Sequence, residues 1–380
     1  MSIDGLPNSK QFVPCREDPS LKPPPSSTGQ KYLVAINLRN NEDVMPHFCS
    51  SLLETLAILP EGSVFLSIYE SGSTDNTVAW LQLLRQLVDH MGVPNRIVTG
   101  GWQRAPGQDR IAFLAAMRNA VLAPLYEDEE GRVWEADRII FLNDVFFCSS
   151  DVIRLLQHDG DMVCGMDFTS KQWYNNYPAF QIHPVGKFGP TLGVRQGSTD
   201  SHLVFYDAWV ARDALGLPFS NTRPYVSHQY SVERIQQGLP FPAKCCWNGL
   251  TVLNAAPFRQ QNVTFRAHVE GECAASEISL LCEDLLRAGY QRVIVDPAVR
   301  QAYTVADARV LYTERLGFIP YIPWSAVEAA PPIDYDFVPR KTYMTCCDKR
   351  DDVDTVVWAD CHPVDIMEVA SRANSSAGLP

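Results

Sequence analysis

The sequence lacks several patterns that would assign it to a class at once. Its 11 cysteines include no Cys-x-x-Cys pair, which argues against a structural zinc site. There is no Gly-x-Gly-x-x-Gly, so the dinucleotide-binding fingerprint is absent. No run of 18 apolar residues occurs, and the N-terminus has no basic stretch followed by an apolar one. We therefore expect neither a membrane span nor a signal peptide in this chain.

Positive charge is also scarce. The 380 residues include 32 Lys and Arg against 44 Asp and Glu, a formal net charge of −12. This balance argues against a nucleic-acid-binding protein, although a small basic pocket for a diphosphate is compatible with it. With 46% hydrophobic residues the chain can bury a large core, and its length predicts one large α/β domain or two smaller ones.

Cysteine is the residue type that is unexpectedly common. Disulfides formed in an oxidising lumen are one explanation for 11 cysteines, and scattered buried thiols are the other. We favour disulfides, and the odd count then leaves at least one thiol unpaired.

Strands and helices are predicted to alternate over the first 150 residues. Short apolar runs predict strands and three- to four-residue apolar spacing predicts helices, which together indicate a parallel sheet covered on both faces. The predicted strands are 31–37, 63–69, 96–98 and 138–142, and the predicted helices are 45–59, 78–91, 110–125 and one beginning at 149.

The rest of the chain is less regular. Residues 1–30, rich in Pro and Ser, are interpreted as a flexible stem, and residues 346–380 as a C-terminal tail. The main domain is placed at 31–345, with halves at 31–150 and 151–345. Within the second half, 170–260 is interpreted as pocket-forming loops, followed by a helix at 276–288 and a strand at 292–295.

The first candidate binding segment lies where the second strand meets its helix. It contains Glu70, Gly72, Ser73 and Asp75. Ligands bind at the carboxyl ends of parallel strands, where small residues allow close approach and a helix N-terminus favours negative charge. The alternative is an ordinary turn in which Thr74 or Asp75 caps the helix.

The second candidate is Asp144, beside Asn143 at the end of the fourth predicted strand. A carboxylate there could hold a divalent cation between nucleotide phosphates, or it could cap the next helix. Arg104, Arg110 and Arg118 could reach the diphosphate, and solvated surface arginines are the alternative.

The third candidate is Glu277, at the start of the late helix. It could point into a cleft and handle an acceptor hydroxyl, whereas its favourable position in the helix dipole is the simpler explanation. Glu283 and Asp284, farther along the helix, are expected on its solvated face.

Taken in order, these segments resemble a GT-A-type glycosyltransferase. Residues 31–37 with Glu70-Ser-Gly-Ser-Thr-Asp75 resemble its nucleotide-binding half, and Arg118-Asn119 resembles the pair before its metal motif. Leu142-Asn-Asp-Val145 lies where that motif falls, Trp247-Asn-Gly249 is similar to its glycine loop, and Ser276-Glu277 is similar to its late acidic motif.

Four longer strings resemble a narrower family, the fungal (cryptococcal capsule-associated) α-1,3-mannosyltransferases. They are FLNDVFFCSSDVIRLL, FYDAWVARDALG, CCWNGLTVLNAAPF and SEISLLCEDLLRAGY, and the resemblance covers about residues 30–310. It implies a GT-A-like fold, with 31–150 as the nucleotide-binding half and 151–345 as the acceptor-binding half. It also implies transfer of mannose, or of xylose in some relatives, from GDP-mannose to a mannose-containing glycan, with Mn²⁺, retention of configuration and a Golgi location.

The resemblance assigns residues to roles. It implies nucleotide-sugar contacts by Asn37, Arg39, Glu70, Gly72, Ser73, Asp75, Arg110, Arg118, Asn143, Trp247 and Gly249, a metal ligand in Asp144, and catalytic carboxylates in Glu277 and Asp207. Trp209 is a further candidate for the sugar pocket, or else a core tryptophan.

The sequence departs from the GT-A pattern in three respects. Asp144 is a single carboxylate where two are usual, the late histidine is absent from Gln301-Ala-Tyr303-Thr304, and relatives carry an N-terminal anchor that this chain does not show. A non-catalytic nucleotide- or glycan-binding relative is therefore the alternative. A nucleotidyltransferase would need an early basic phosphate loop, which Asn40-Asn-Glu-Asp43 does not supply.

Overall fold

A computed structural model describes residues 12–126, 131–170, 203–313, 319–339, 343–347, 349–350, 355–356 and 361–367. Within these ranges no helix combines the length and the apolar character that a membrane crossing requires.

The first half alternates strand and helix as predicted. The strands are β1 (Tyr32–Leu38), β2 (Val64–Glu70), β3 (Asn95–Val98) and β4 (Arg138–Leu142), and the helices are α1 (Met45–Ile58), α2 (Thr77–His90), α3 (Arg110–Val121) and α4 (Ser149–Leu156). All four strands are parallel, in the order β3-β2-β1-β4. The carboxyl ends of β1, β2 and β4 therefore open on the same edge of the sheet.

The second half extends the same sheet. Its strands are β5 (Met162–Ser170), β6 (Leu203–Phe205), β7 (Arg212–Asp213), β8 (Phe241–Cys245), β9 (Leu250–Asn254) and β10 (Val293–Ala302). Its helices are α5 (Gln229–Gln236), α6 (Ala256–Gln260), α7 (Glu277–Arg287), α8 (Val305–Thr313) and α9 (Trp324–Ala329).

The order continues β4-β9-β5-β10-β8-β7, with β6 beside β5. The pairings make β6, β8 and β9 run against the other seven strands. The predicted α/β fold with a mostly parallel central sheet flanked by helices is thus confirmed.

Both faces of the sheet are buried. Alternate residues of β1 point to opposite sides, so that Leu33 and Ala35 join one apolar cluster and Val34 and Ile36 the other. The first cluster lies under α3 and α7, and the second lies under α1, α2 and α4. Helices on both sides explain why these strands are continuous apolar runs.

The interpretation of 170–260 as loops is wrong for much of the described part, 203–260. β9 is inserted between β4 and β5 and pairs antiparallel with both. Its residues 250–253 are buried, as are four of the five residues of β8. These strands could not be predicted from the local sequence, because the Pro, Trp, Asn and Gly residues around them are typical of loops. Residues 171–202 lie outside the described part.

Residues 12–30 differ from the predicted flexible stem. Val13 and Asp18 are buried, and Cys15 is bonded to Cys148 at the start of α4. Asp18 accepts a hydrogen bond from the amide of Trp324 at 2.7 Å. This segment therefore contacts parts of the domain that are far away in sequence, and such contacts leave no local pattern. Residues 1–11 lie outside the described part.

The predicted boundary at 345/346 also differs from the structure, because it falls within a strand. β11 (Tyr343–Cys346) pairs with β14 (His362–Asp365), and a shorter pair joins β12 (Lys349–Arg350) to β13 (Thr355–Val356). Disulfides Cys273–Cys346 and Cys347–Cys361 hold the larger pair, which we call the C-terminal hairpin. This part of the tail is thus an integral part of the domain.

Five disulfides account for ten of the 11 cysteines, and buried Cys49 is the free thiol. The remaining two bonds join Cys164 to Cys246 and Cys245 to Cys282. The prediction of disulfides with one cysteine left over is confirmed.

We expect the Cys15–Cys148 bond to contribute strongly to stability because it closes a loop of 133 residues. Replacing both cysteines with serine is expected to lower the free energy of unfolding by about 2–5 kcal/mol, measured by urea denaturation. Cys49→Ala is the control, since it removes a thiol without removing a cross-link. Equal stability of the double variant and wild type would show that residues 12–25 dock without the bond.

Candidate active site

A cleft of about 460 Å³ lies at the carboxyl ends of the central strands. The segments after β1 and β4 form one wall, and the start of α7 with the turn after β6 forms the other. Its size is that of a small-molecule or cofactor pocket, and its place in the sheet is where open α/β folds bind ligands. Of the predicted site residues, the lining includes Asn37, Arg39, Arg110, Arg118, Asn143, Asp144, Asp207, Trp247 and Glu277.

Asp144 follows β4 directly and faces the cleft. One carboxylate oxygen accepts a hydrogen bond from the Asn41 side-chain amide at 2.8 Å. Burial raises the pKa of Asp144, and the hydrogen bond from Asn41 and the charge of Arg118 offset this only in part. Asp144 is half-buried and has no ion pair with a described residue, so a bound cation would stabilise its carboxylate.

The donor set around Asp144 fits a cation that is also held by a ligand. In the described ranges, the one cluster of three close His, Cys or acidic groups is Cys15, His47 and Cys148, whose two cysteines are disulfide-bonded. Asp144 therefore belongs to no such cluster among the described residues. Mg²⁺-type sites commonly use one or two carboxylates, several waters and substrate phosphates, so this donor set suits a phosphate-bridging ion.

Three cleft arginines have no ion pair with any described residue. They are Arg39 after β1, Arg104 in the loop after β3, and Arg110 at the start of α3, all with exposed side chains. Unpaired guanidinium groups beside one carboxylate make this part of the cleft positive. Such groups bind phosphate oxygens in bidentate geometry.

Arg118 is engaged differently from its predicted diphosphate role. Its Nε donates to Glu277 Oε1 at 2.9 Å, and its guanidinium lies 4.6 Å from the Trp247 ring centre. Trp247 and Arg118 both donate to Asn143 Oδ1, at 3.2 and 3.4 Å. These contacts fix the floor of the cleft, and they direct Arg118 towards Glu277 rather than leaving it free for phosphate.

Glu277 is 3% exposed and begins α7, where Ser276 caps the helix. It lines the cleft as predicted, with its charge already balanced by Arg118. Farther along the helix, Glu283 is not on the solvated face: it is 8% exposed, and burial raises its pKa to about 7. The solvated-face prediction is therefore wrong for Glu283.

Asp207 lies opposite, in the turn after β6. Its Oδ2 accepts a hydrogen bond from the Asn248 amide at 3.2 Å, and burial raises its pKa to about 6. Trp209 also lines the cleft, and its indole N–H donates to the carbonyl of Cys347 in the C-terminal hairpin. The structure thus brings both predicted catalytic carboxylates into one cleft.

The segment after β2 is mainly structural. Glu70 is fully buried, and its carboxylate accepts hydrogen bonds from the amides of Ser73 and Gly100. Asp75 accepts from the amides of Glu42 and Thr77, both at 3.0 Å, which matches the ordinary-turn alternative. The predicted ligand contacts by Glu70, Gly72, Ser73 and Asp75 do not match this geometry, because none of the four lines the cleft.

Two further predicted residues have distinct positions. Asn37 lines the cleft, its amide donates to the Met117 carbonyl, and its buried Oδ1 has no partner among the described residues. Gly249 has a positive φ of 81°, and a Cβ there would lie 2.7 Å from the side chain of Val145. Asn37 is therefore available to a ligand, whereas Gly249 allows β9 to approach the metal motif.

Sequence analysis missed Asn41, Asp167 and Tyr303. Asn41 bonds Asp144, and Tyr303 lines the cleft at the end of β10. Asp167 is a fully buried acid in β5, a strand that was not predicted from the sequence. An acid inside the apolar run Met162–Ser170 was the available signal for Asp167. Tyr303 was named only as part of the stretch in which GT-A enzymes usually carry a late histidine, and no role was predicted for it.

The chain matches a family model described as "Cryptococcal mannosyltransferase 1" over residues 31–284. It is 30% identical over 324 residues to alpha-1,3-mannosyltransferase CMT1 of Cryptococcus neoformans, covering 77% of this chain and 63% of that protein. The chain thus spans less than two thirds of the length of this curated relative.

Solved structures give weaker similarities. The mannosyltransferase PcManGT of Pyrobaculum calidifontis, in complex with GDP-Man and Mn²⁺, is 11% identical with a TM-score of 0.38, covering 85% of this chain and 69% of that one. TarS of S. aureus in complex with UDP is 13% identical with a TM-score of 0.36, covering 74% and 65%. The family match extends over β1–β9 and into α7, and so includes most of the cleft. The chain belongs to the cryptococcal mannosyltransferase 1 family.

Proposed function

We propose that this chain is a glycosyltransferase that moves mannose from GDP-mannose to a mannose-containing glycan in α-1,3 linkage, with retention of configuration. The observation that carries the proposal is the cleft itself, where Asp144 and three arginines that form no ion pair with the described residues line the edge at which parallel strands end. Family membership and the name of the relative from Cryptococcus neoformans support the choice of sugar and linkage.

In this proposal the donor occupies the wall formed by β1, β4 and α3. Arg39, Arg104 and Arg110 bind the diphosphate oxygens, and Asn37 Oδ1 accepts an N–H from the guanine edge. The lack of any described partner for Asn37 Oδ1 supports its assignment to a ligand, since a buried acceptor without a partner is costly.

Asp144 would hold Mn²⁺, with Asn41 fixing the orientation of the carboxylate. When bound, the ion supplies charge stabilisation to the leaving diphosphate. The hydrogen bond from Asn41 to Asp144 Oδ2 leaves Oδ1 for the ion.

The acceptor would lie against the other wall, near Asp207, Trp209 and Glu277. An aromatic face suits the C–H face of a sugar, and carboxylates suit its hydroxyls. Retention requires either a carboxylate nucleophile or front-side attack with the leaving phosphate as base. Asp207 and Glu277 are the carboxylates on this wall, and the first route would use one of them as the nucleophile; in the second route the leaving phosphate would take the proton of the acceptor hydroxyl.

We also propose that the protein works in an oxidising lumen such as that of the Golgi. The five disulfides support this location, because such bonds are rare in reducing compartments.

The direct test is to incubate the protein with GDP-mannose, Mn²⁺ and an α-mannoside, with UDP-xylose as the competing donor, and to determine linkage and anomeric configuration by NMR. We expect an α-1,3-mannoside. Binding of GDP without turnover of any donor would favour the non-catalytic relative, for which the single metal carboxylate is the motivating observation.

Arginine variants test the donor wall separately. Arg110→Ala is expected to raise the Kd for GDP about tenfold or more, since hydrogen bonds to charged groups contribute about 1.5–3 kcal/mol. Binding is measured by calorimetry with Mn²⁺. The control is Arg309→Ala, an exposed arginine on α8 that does not line the cleft. Equal affinities in both variants would remove Arg110 from the donor site.

A further inference from the structure

Asp167 is a fully buried carboxyl group directly behind the cleft. Its Oδ2 is hydrogen-bonded to the Tyr303 hydroxyl at 2.7 Å, and its Oδ1 accepts a hydrogen bond from the Asp207 amide at 3.2 Å. Its backbone carbonyl accepts from the amide of Tyr206 at 3.0 Å. Asp167 therefore holds the turn that carries Asp207, and Tyr303 fixes it from β10.

No described cation pairs with Asp167. The side chain has neither a salt bridge nor a hydrogen bond from Arg, Lys or His within the described ranges, whereas Asp207 lies close to it. Asp167 is fully buried and Asp207 is half-buried at the cleft, and two neighbouring carboxylates shielded from solvent are costly to ionise together. One of the two must keep its proton.

The charged groups around the pair determine which of the two carboxyl groups keeps the proton. Arg118 on α3 and Arg212 on β7 face Asp207 and stabilise its charge, while Glu277 on α7 opposes it. Asp207 also has the Asn248 amide as donor. Among the described residues, the Asp167 carboxyl group is hydrogen-bonded only to the Tyr303 hydroxyl and the Asp207 amide, so the negative charge is more stable on Asp207.

We propose that Asp167 is a positioning residue that acts as a neutral carboxylic acid: its Oδ2–H donates to the Tyr303 hydroxyl oxygen, its Oδ1 holds the Asp207 amide, and the single negative charge of the pair is on Asp207. The role of Asp207 in transfer rests on the proposed function, whereas the protonation of Asp167 does not. Burial, and after it the charge of Asp207, raises the pKa of Asp167 well above its ordinary value. Burial raises that of Asp207 only to about 6. Near neutral pH the proton of the pair therefore remains on Asp167.

Infrared difference spectroscopy tests the protonation without any substrate. At pH 8, wild type minus Asp167→Asn should show the carbonyl stretch of a protonated carboxylic acid. Absence of that band from this difference spectrum overturns the proposal. The same experiment remains valid if the protein transfers a different sugar.

Enzyme kinetics test whether a neutral side chain at position 167 is sufficient for sugar transfer. Asp167→Asn imitates the neutral acid, so it should keep kcat/KM at pH 7 within about threefold of wild type, with the acid limb still near pH 6. Asp207→Asn should lower kcat/KM about 100-fold or more, and Asp167→Leu, which loses both side-chain hydrogen bonds, should also lower it.

Circular dichroism of each variant establishes that it is folded. A folded Asp167→Asn as inactive as Asp207→Asn would contradict a neutral Asp167. If wild type shows the infrared band but transfers nothing from GDP-mannose, the proposed function fails and the assignment of the proton stands.

Discussion

Asp144→Asn should lower kcat/KM for sugar transfer by roughly 1,000-fold, because a metal ion that stabilises transition-state charge contributes several kcal/mol. The asparagine keeps the size of the side chain and its contact with Asn41, but it removes the single carboxylate that could hold the ion. The loss should therefore appear in catalysis and not in folding.

The thermal melting shift produced by GDP provides the matching measurement. At about 100 times the Kd, GDP with Mn²⁺ should stabilise the wild type by roughly 2.7 kcal/mol. Most of that shift should disappear in Asp144→Asn, and the variant should respond equally to GDP with and without Mn²⁺.

Glu54→Ala is the matched control, because Glu54 is an exposed acid on α1 that does not line the cleft. If Asp144→Asn keeps both its activity and its Mn²⁺-dependent melting shift, the ion is held by other residues and the assignment of Asp144 is wrong.

Arg154→Met should be strongly destabilising although Arg154 lies outside the cleft. Arg154 is 2% exposed, and its guanidinium donates to Asp296 at 2.8 Å and to the Ile322 carbonyl at 3.0 Å. Removing one partner of a buried ion pair leaves an uncompensated charge and costs about 3–5 kcal/mol. Urea denaturation at pH 7 should show a loss of this size.

The pH dependence of the free energy of unfolding provides a second test of the Arg154–Asp296 ion pair. Burial alone would raise the pKa of Asp296, but Arg154 and His158 hold it well below its ordinary value. A depressed pKa contributes stability above the unfolded value of about 3.9, and that stability is lost as the pH falls. In Arg154→Met, Asp296 can take a proton instead, so the difference from wild type should be larger at pH 7 than at pH 4.

Arg292→Met is the control for this experiment. Arg292 pairs with Asp159 on the surface, where both side chains are about half exposed or more, and such pairs contribute about 0–1 kcal/mol. Equal losses in the two variants would show that burial of Arg154 adds nothing to its ion pair.

The first half of the fold could be predicted because its information is local. β1, β2 and β4 are apolar runs, and α1 has apolar residues at helical spacing. In this half the predicted bounds differ from the observed ones by one residue at most, except for α3, which ends at Val121 instead of 125. Each of these elements can be predicted from the spacing of apolar residues within its own sequence.

The second half could not be predicted in the same way. β9 is held by β4 and β5, from which it is separated by about 80 to 115 residues, and no local period reveals such a position. The same argument applies to residues 12–25, whose burial depends on α4 and on residues near 320.

In the site, too, single residues could be predicted from the sequence but their contacts with distant residues could not. Asp144 and Glu277 were identified because acids at the ends of predicted elements are conspicuous, and Asp207 was identified through the family resemblance; all three reach the cleft. Their partners were not identified: Arg118 and Glu277 are 159 residues apart, and Asp167 contacts Tyr303 across 136. Glu70 was misassigned because an acid at a strand end can equally bind backbone amides, as it does here.

The bond between Cys15 and Cys148 also determines how the protein would bear a mechanical load. Tension applied to the chain before Cys15 passes through this covalent bond to the first turn of α4. The intervening segment, which contains β1 to β4 and Asp144, lies outside that force path. A tether attached at this end could therefore pull on the domain without loading the strands that shape the cleft.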